Sequence, residues 1–232
     1  MAGFLAVRWR GEARPAVEVA RSALEGVADW RVVVDAPGLL LAIRGPNWPR
    51  VRCLPAGRGW VIGDLHRADF GPVSDDEADH LMISLASPAE LIARRLSEVY
   101  WGRYVALIDP GKDGEAVFRD PSGALDAFTW SVAGLSLAGS HWPDWLPAAL
   151  KPPLVFDWPV IGHWLKDGSA SAVTSGLRGL VSVTPGTVAS TSGEVVQVWR
   201  PGDIARRPAL PAAEARSEEH TSELQSHACS SY

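Results

Sequence analysis

The residues whose types could do chemistry are few and scattered along the chain. Two cysteines, Cys53 and Cys229, are too few for a disulfide framework or a cysteine-built zinc site. Cys53 is the one thiol in the body of the chain. As a displaced nucleophile it would need a base within reach, but it lies in an apolar run with no neighbouring histidine, so it reads as a buried structural cysteine. His66 stands two residues from Asp64, and His141 lies between Ser140 and Asp144, residue types that suit a base, its orienting acid and a nucleophile. Proximity in sequence is not triad geometry, and neither group is assigned catalysis. Asp75, Asp76, Glu77 and Asp79 form an acidic run without the spaced glycine and closing glutamate of a calcium loop, which makes it a solvated connection. Gly57-Arg58-Gly59 is too short to cradle a phosphate. No metal site is expected.

The elements that must position these groups are many short strands and a few helices. Residues 3–10 alternate Phe4 and Ala6 against Leu5, Val7 and Trp9, a strand that is apolar on both faces and therefore interior. Pro15 opens a helix over 12–26, with Val17, Ala20, Leu24 and Val27 on one face. A hairpin follows, 30–35 and 39–44, turning at Ala36-Pro37-Gly38, and then strands at 51–54 and 59–65 around Pro55-Ala56-Gly57. Ser87-Pro88-Ala89-Glu90 reads as a capping box with proline at the first helical position, opening a helix to about Tyr100. The runs 103–109 and 115–119 make a second hairpin across Pro110-Gly111-Lys112-Asp113-Gly114. A short strand is expected at 134–139, and Asp157 caps a helix through Lys166. Strands at 177–183, 187–190 and 195–199 complete an α+β layered body.

Composition bounds the function classes. The 232 residues are 47% apolar and 21% charged, ordinary for a globular chain. A net charge of −5 supplies no general basic field for nucleic acid. The longest uncharged apolar runs, 36–43 and 83–89, fall short of the roughly 20 residues of a membrane helix. The amino-terminal stretch has no basic region ahead of its apolar residues and puts Arg8 and Arg10 where a signal peptide would be cleaved, so the expected location is the cytoplasm. Eleven tryptophans, from Trp9 to Trp199, are spread over the chain and are expected mostly in the core or half-buried.

Trp101-Gly102-Arg103-Tyr104-Val105-Ala106-Leu107-Ile108, a short loop, and Val117-Phe118-Arg119-Asp120-Pro121-Ser122-Gly123-Ala124 together resemble the amino-terminal glutaminase-type domain of the asparagine synthase family. There the pair is a core hairpin ending in an Arg-Asp-x-x-Gly turn, here Arg119, Asp120 and Gly123. Leu137-Ala138-Gly139-Ser140 is similar to the strand that follows. Leu177-Arg178-Gly179-Leu180, Thr184-Pro185-Gly186-Thr187 and Val198-Trp199-Arg200-Pro201 resemble the closing segment, in the same order. The resemblance covers residues 3–201 and implies a four-layer αββα sandwich of the N-terminal nucleophile hydrolase type. It also implies an amino-terminal cysteine that hydrolyses glutamine, with its own α-amine as the base. Ala2 stands where the resemblance puts that cysteine, and Ile62-Gly63 stands where it puts an oxyanion-holding Asn-Gly pair, with Asp64 next in the remnant of the glutamine pocket. The expectation is a silent glutaminase. Gly63-Asp64-Leu65 and the Ala- and Trp-rich style are closest to the lasso-peptide cyclases, relatives that lack the cysteine and whose second domain adenylates a carboxylate with ATP and magnesium.

The Ser-Gly-Gly-x-Asp-Ser pyrophosphate loop of that second domain is absent from the sequence. Residues 216–226 match, codon by codon, a short-read sequencing-library adapter read in frame, so residues 216–232 are expected to be an artefact. Residues 202–215 would then be a shortened linker toward the missing synthetase domain, and the body should expose an apolar patch where that domain sits. Three functions compete: a silent amino-terminal domain of an ATP-dependent amide-forming ligase, a stand-alone peptide- or protein-binding module, and an active glutamine-hydrolysing enzyme. The first implies as partners the synthetase domain, a precursor peptide and companion biosynthesis proteins. It assigns no cofactor to this chain.

Overall fold

Phe4, Ala6 and Arg8 alternate with Leu5 and Val7 along residues 3–9 and all five are buried, so this strand has two covered faces and occupies the middle of a sheet. The computed structural model describes residues 3–11, 14–45, 49–67, 88–141, 143–152, 154–168, 175–191 and 193–206. In chain order the elements are β1 (Gly3–Trp9), α1 (Arg14–Glu25), β2 (Trp30–Ala36), β3 (Leu39–Arg44), β4 (Val51–Leu54), β5 (Gly59–Arg67), α2 (Ala89–Val99), β6 (Tyr100–Ile108) and β7 (Ala116–Arg119). They continue as β8 (Phe128–Val132), β9 (Leu135–Gly139), β10 (Val155–Phe156), α3 (Trp158–Lys166), β11 (Leu177–Arg178), β12 (Val181–Ser182), β13 (Thr187–Ser190), β14 (Val195–Gln197) and α4 (Pro201–Ala205). The chain is thus a mixed α+β protein with four α-helices among the described residues. It divides into two compact units, Met1–Trp199 and Arg200–Tyr232, and within the second α4 is the described element.

The first unit is built on two six-stranded antiparallel sheets, ordered β12-β8-β9-β1-β3-β2 and β14-β13-β7-β6-β5-β4, with β10 and β11 forming a separate ribbon. Three apolar clusters account for its core. One joins Val17, Ala20 and Leu24 of α1 to Leu5, Val7, Leu40 and Leu137 of the first sheet. A second mixes both sheets, with Phe4, Ala6, Leu41 and Ala138 against Ile62, Val105, Leu107 and Val117. The third joins Ile92, Ala93 and Leu96 of α2 to Leu65, Tyr104, Ala106 and Phe118 of the second sheet. Each core strand feeds two clusters through its period-two alternation. Of the nine described tryptophans, only Trp101 and Trp158 are exposed, as the spread along the chain led one to expect.

Several local expectations need correction. Pro88 is the N-cap of α2 rather than its first helical residue, and its carbonyl accepts the Leu91 N–H at 3.0 Å and the Ile92 N–H at 3.3 Å. Ser87 lies outside the described residues, as does the acidic run at 70–80. The helix stops at Val99 because Tyr100 takes an extended conformation and starts β6 without a loop. The expected strand 177–183 is two strands in different sheets, split at Gly179, whose φ of +86° turns the chain. Asp157 does cap α3, accepting the Val160 N–H at 3.4 Å, and Arg178 of β11 donates to the same carboxylate at 2.7 Å. That bond to Arg178 holds the Asp157 carboxyl below its ordinary range.

Candidate functional site

The head of β1 gathers the polar groups that suit nucleophilic chemistry. The Ser140 N–H donates to the Phe4 carbonyl at 3.1 Å, and the Phe4 N–H donates to Ser140 Oγ at 3.2 Å, which fixes the hydroxyl at the start of the strand. Ser140 Oγ lies 3.0 Å from His141 Nδ1. The imidazole packs on Trp30 with ring centroids 5.7 Å apart, and Trp30 in turn meets Trp145 edge-on. Burial pushes the His141 pKa down, the positive charge of Arg44 adds to this, and Asp144 opposes it through its field. A lowered pKa keeps the ring neutral and able to accept a proton from a neighbouring hydroxyl. The site is cramped, because a Cβ built on Gly3 would fall 2.5 Å from His141 Cε1 and 2.7 Å from Ser140 Oγ. Ser140 and His141 are therefore brought together, while Asp144 makes no hydrogen bond to the ring among the described residues. Ala2 lies outside the described residues.

Ile62, Gly63 and Asp64, expected from the resemblance as the remnant of a glutamine pocket, sit on β5 and make structural contacts. Ile62 is 0% exposed in the cluster between the sheets, so its side chain is core and offers no donor to an oxyanion. The Gly63 N–H donates to the Arg50 carbonyl at 2.7 Å, and its φ of +119° lets β5 pass the Arg103 carbonyl, which a Cβ there would approach to 2.1 Å. Asp64 accepts from Arg103 Nε at 2.8 Å across the β5–β6 pair, whereas His66 stacks on Trp101 at 4.7 Å. Asp64 and His66 thus serve different partners.

Arg119, Asp120 and Gly123 form a clamped turn. Arg119 donates from Nε to the Leu125 carbonyl at 2.8 Å, from Nη1 to the Val183 carbonyl at 3.1 Å, and from Nη2 to the Gly123 carbonyl and to Asp126. Asp120 accepts the Tyr104 N–H at 3.1 Å and the Ser122 N–H at 2.8 Å. Burial lifts its pKa above the ordinary carboxylate value, against the lowering effect of the Ser122 and Tyr104 bonds and of Arg119. Gly123, at φ +63°, stands where a Cβ would meet Pro185 at 2.5 Å. These residues tie β6, β7 and the 183–186 segment together and hold no reacting group.

Cys53 corrects the expectation of a buried thiol. It lies on β4, the edge strand of its sheet, and points away from the buried Arg52 and Leu54, so it is exposed. It lines a groove of about 640 Å³ together with Arg31, Arg50, Val51 and Trp60. The groove lies beside β2 and β4, the edge strands of the two sheets.

Exposed apolar side chains gather in the stretch 154–165. Val155, Phe156, Trp158 and Leu165 are 59%, 60%, 69% and 85% exposed, and Leu154 adds to them. Phe156 and Trp158 touch at 5.5 Å between ring centroids, and Trp158 and Leu165, seven residues apart, share one side of α3. Among the described residues no group of three or more His, Cys, Asp or Glu side chains suits a metal ion, and no helix is long and apolar enough to cross a membrane. Comparisons with protein-family models and with curated proteins find no match to this chain.

Proposed function

We propose that the chain is the catalytically silent, glutaminase-like front domain of an ATP-dependent amide-forming ligase of the asparagine synthase kind, closest to a lasso-peptide cyclase, and that it acts in the cytoplasm as a scaffold for the ligase domain. The observation that carries this reading is the exposed apolar strip of Val155, Phe156, Trp158 and Leu165, a surface that calls for a covering partner. The three clusters support the finer architecture, a four-layer αββα sandwich of the N-terminal nucleophile hydrolase type, with α1 and α2 as the outer layers. The clamped Arg119-Asp120-Gly123 turn supports the family assignment. Silence is supported by Ile62, a buried apolar side chain with no donor at the position where the resemblance puts an amide. ATP and magnesium belong to the ligase domain, and no residue of this chain is assigned to them.

The groove beside β2 and β4 favours a second reading, a module that binds an extended peptide at a sheet edge. Incubation of the purified chain with L-glutamine tests the first reading. Ammonia release is expected to equal the buffer blank. Release that is abolished by Cys53→Ser or by Ser140→Ala would replace the scaffold with an active amidohydrolase.

A further inference from the structure

The polar groups buried between the sheets lie apart from the β1 head and carry an inference independent of the scaffold reading. Phe4 and Ala6 enter the cluster shared by the two sheets, so Arg8, two residues further along β1, enters the same space. Arg8 is 2% exposed, its Nε has no hydrogen-bond partner, and its guanidinium bonds to no other described residue. Burial pulls its pKa below the ordinary arginine value, and the field of Glu115 offsets this only in part. The Glu115 carboxylate is itself engaged by the Gly111 N–H at 2.7 Å. A buried guanidinium left in this state is costly unless something pairs with it.

Arg8 lines a cavity of about 210 Å³ whose other walls include Thr129, Ser131, Ser136, Ser190 and Thr191. The strand register explains this concentration of hydroxyls. Ser136 pairs with Arg8, Ser131 pairs with Ser136, and Thr129 pairs with Ala138, a member of the inter-sheet cluster. Directly opposed residues share a face, so all three hydroxyl residues stand on the side of the sheet that Arg8 occupies. We propose that this cavity is an oxyanion site in which the Arg8 guanidinium, assisted by the hydroxyls of Thr129, Ser131 and Ser136, binds a small anion of phosphate or carboxylate chemistry. A guanidinium presents two parallel N–H donors to such a group, and the hydroxyls donate to its remaining oxygens. The volume admits inorganic phosphate or a short carboxylic acid.

Calorimetric titration of the full chain at constant ionic strength tests the site, with inorganic phosphate in one arm, acetate in the second and chloride as the control. Saturable binding of phosphate or acetate is expected, and the arm that saturates identifies the source of the anion. The Arg8 Nε–H nuclear magnetic resonance signal should shift with the same saturation curve. Arg8→Met should weaken binding at least tenfold. Should that variant fail to fold, Ser136→Ala combined with Thr129→Val, which keeps the cation, should weaken binding several-fold. Absence of saturable binding in the unaltered chain, or equal affinity in the folded variants, would overturn the proposal.

Discussion

Arg119 shows what one buried side chain can hold in place. Its guanidinium satisfies the carbonyls of Leu125, Gly123 and Val183, which no neighbouring N–H replaces if the side chain is shortened. Arg119→Met is expected to lower unfolding stability by about 3 kcal/mol or more, read as a fall in the urea midpoint at unchanged slope. His141 makes a pH-dependent contribution. Its folded pKa lies below the ordinary 6.5, chiefly through burial, so the unfolded chain takes up the proton first as pH falls. The stability it contributes is full above 6.5 and is lost as pH falls through the folded value. His141→Gln is expected to flatten the stability curve below about pH 6.5, measured by denaturation across the acid range. At this scale the sequence was a partial guide. The Arg-Asp-x-x-Gly spacing marked a turn that proved to be clamped, but Cys53 was read as buried because strand assignment alone does not reveal an edge. Arg8 was read only as a charge that interrupts the apolar amino-terminal stretch, although its parity with Phe4 and Ala6 already placed it on an inward face.

Hairpins illustrate which elements could be read from the residues. Residues 39–44 and 103–119 announced themselves through apolar runs flanking Pro-Gly and Gly-bearing turns, and β3, β6 and β7 lie there. β8 went unrecognised because its turn to β9 is Ala133-Gly134, with φ of +51° and +75°, instead of the Asn-Gly that usually marks two positive angles. An alanine in the left-handed region pays roughly 1 kcal/mol for its Cβ. Ala133→Asn should therefore stabilise the protein by about 0.5–1 kcal/mol, visible as a higher melting temperature, because Asn tolerates this conformation. A lower melting temperature would show that the turn constrains residue 133 in some other way. The split of β11 from β12 was illegible for a related reason: Leu177–Arg178 and Val181–Ser182 look like one strand until tertiary pairing sends them to different sheets.

For the molecule as a whole, the exposed strip on β10 and α3 sets apart one surface of a well-packed body. Trp158 and Leu165 are 69% and 85% exposed, so replacing both by Gln removes little buried area. The double variant is expected to keep its stability to within about 0.5 kcal/mol while self-association in sedimentation velocity declines. A large loss of stability would instead make the strip part of this unit's own packing. In the proposed reading this body is the front of a longer ligase, and the strip seats the domain that follows. Reading the natural coding frame past residue 215 with adapter-free long reads tests it most directly. The expected result is a frame that continues into a Ser-Gly-Gly-x-Asp-Ser loop, whose backbone amides hold pyrophosphate. A stop codon shortly after residue 215 would contradict the claim and leave a self-standing binding module in its place.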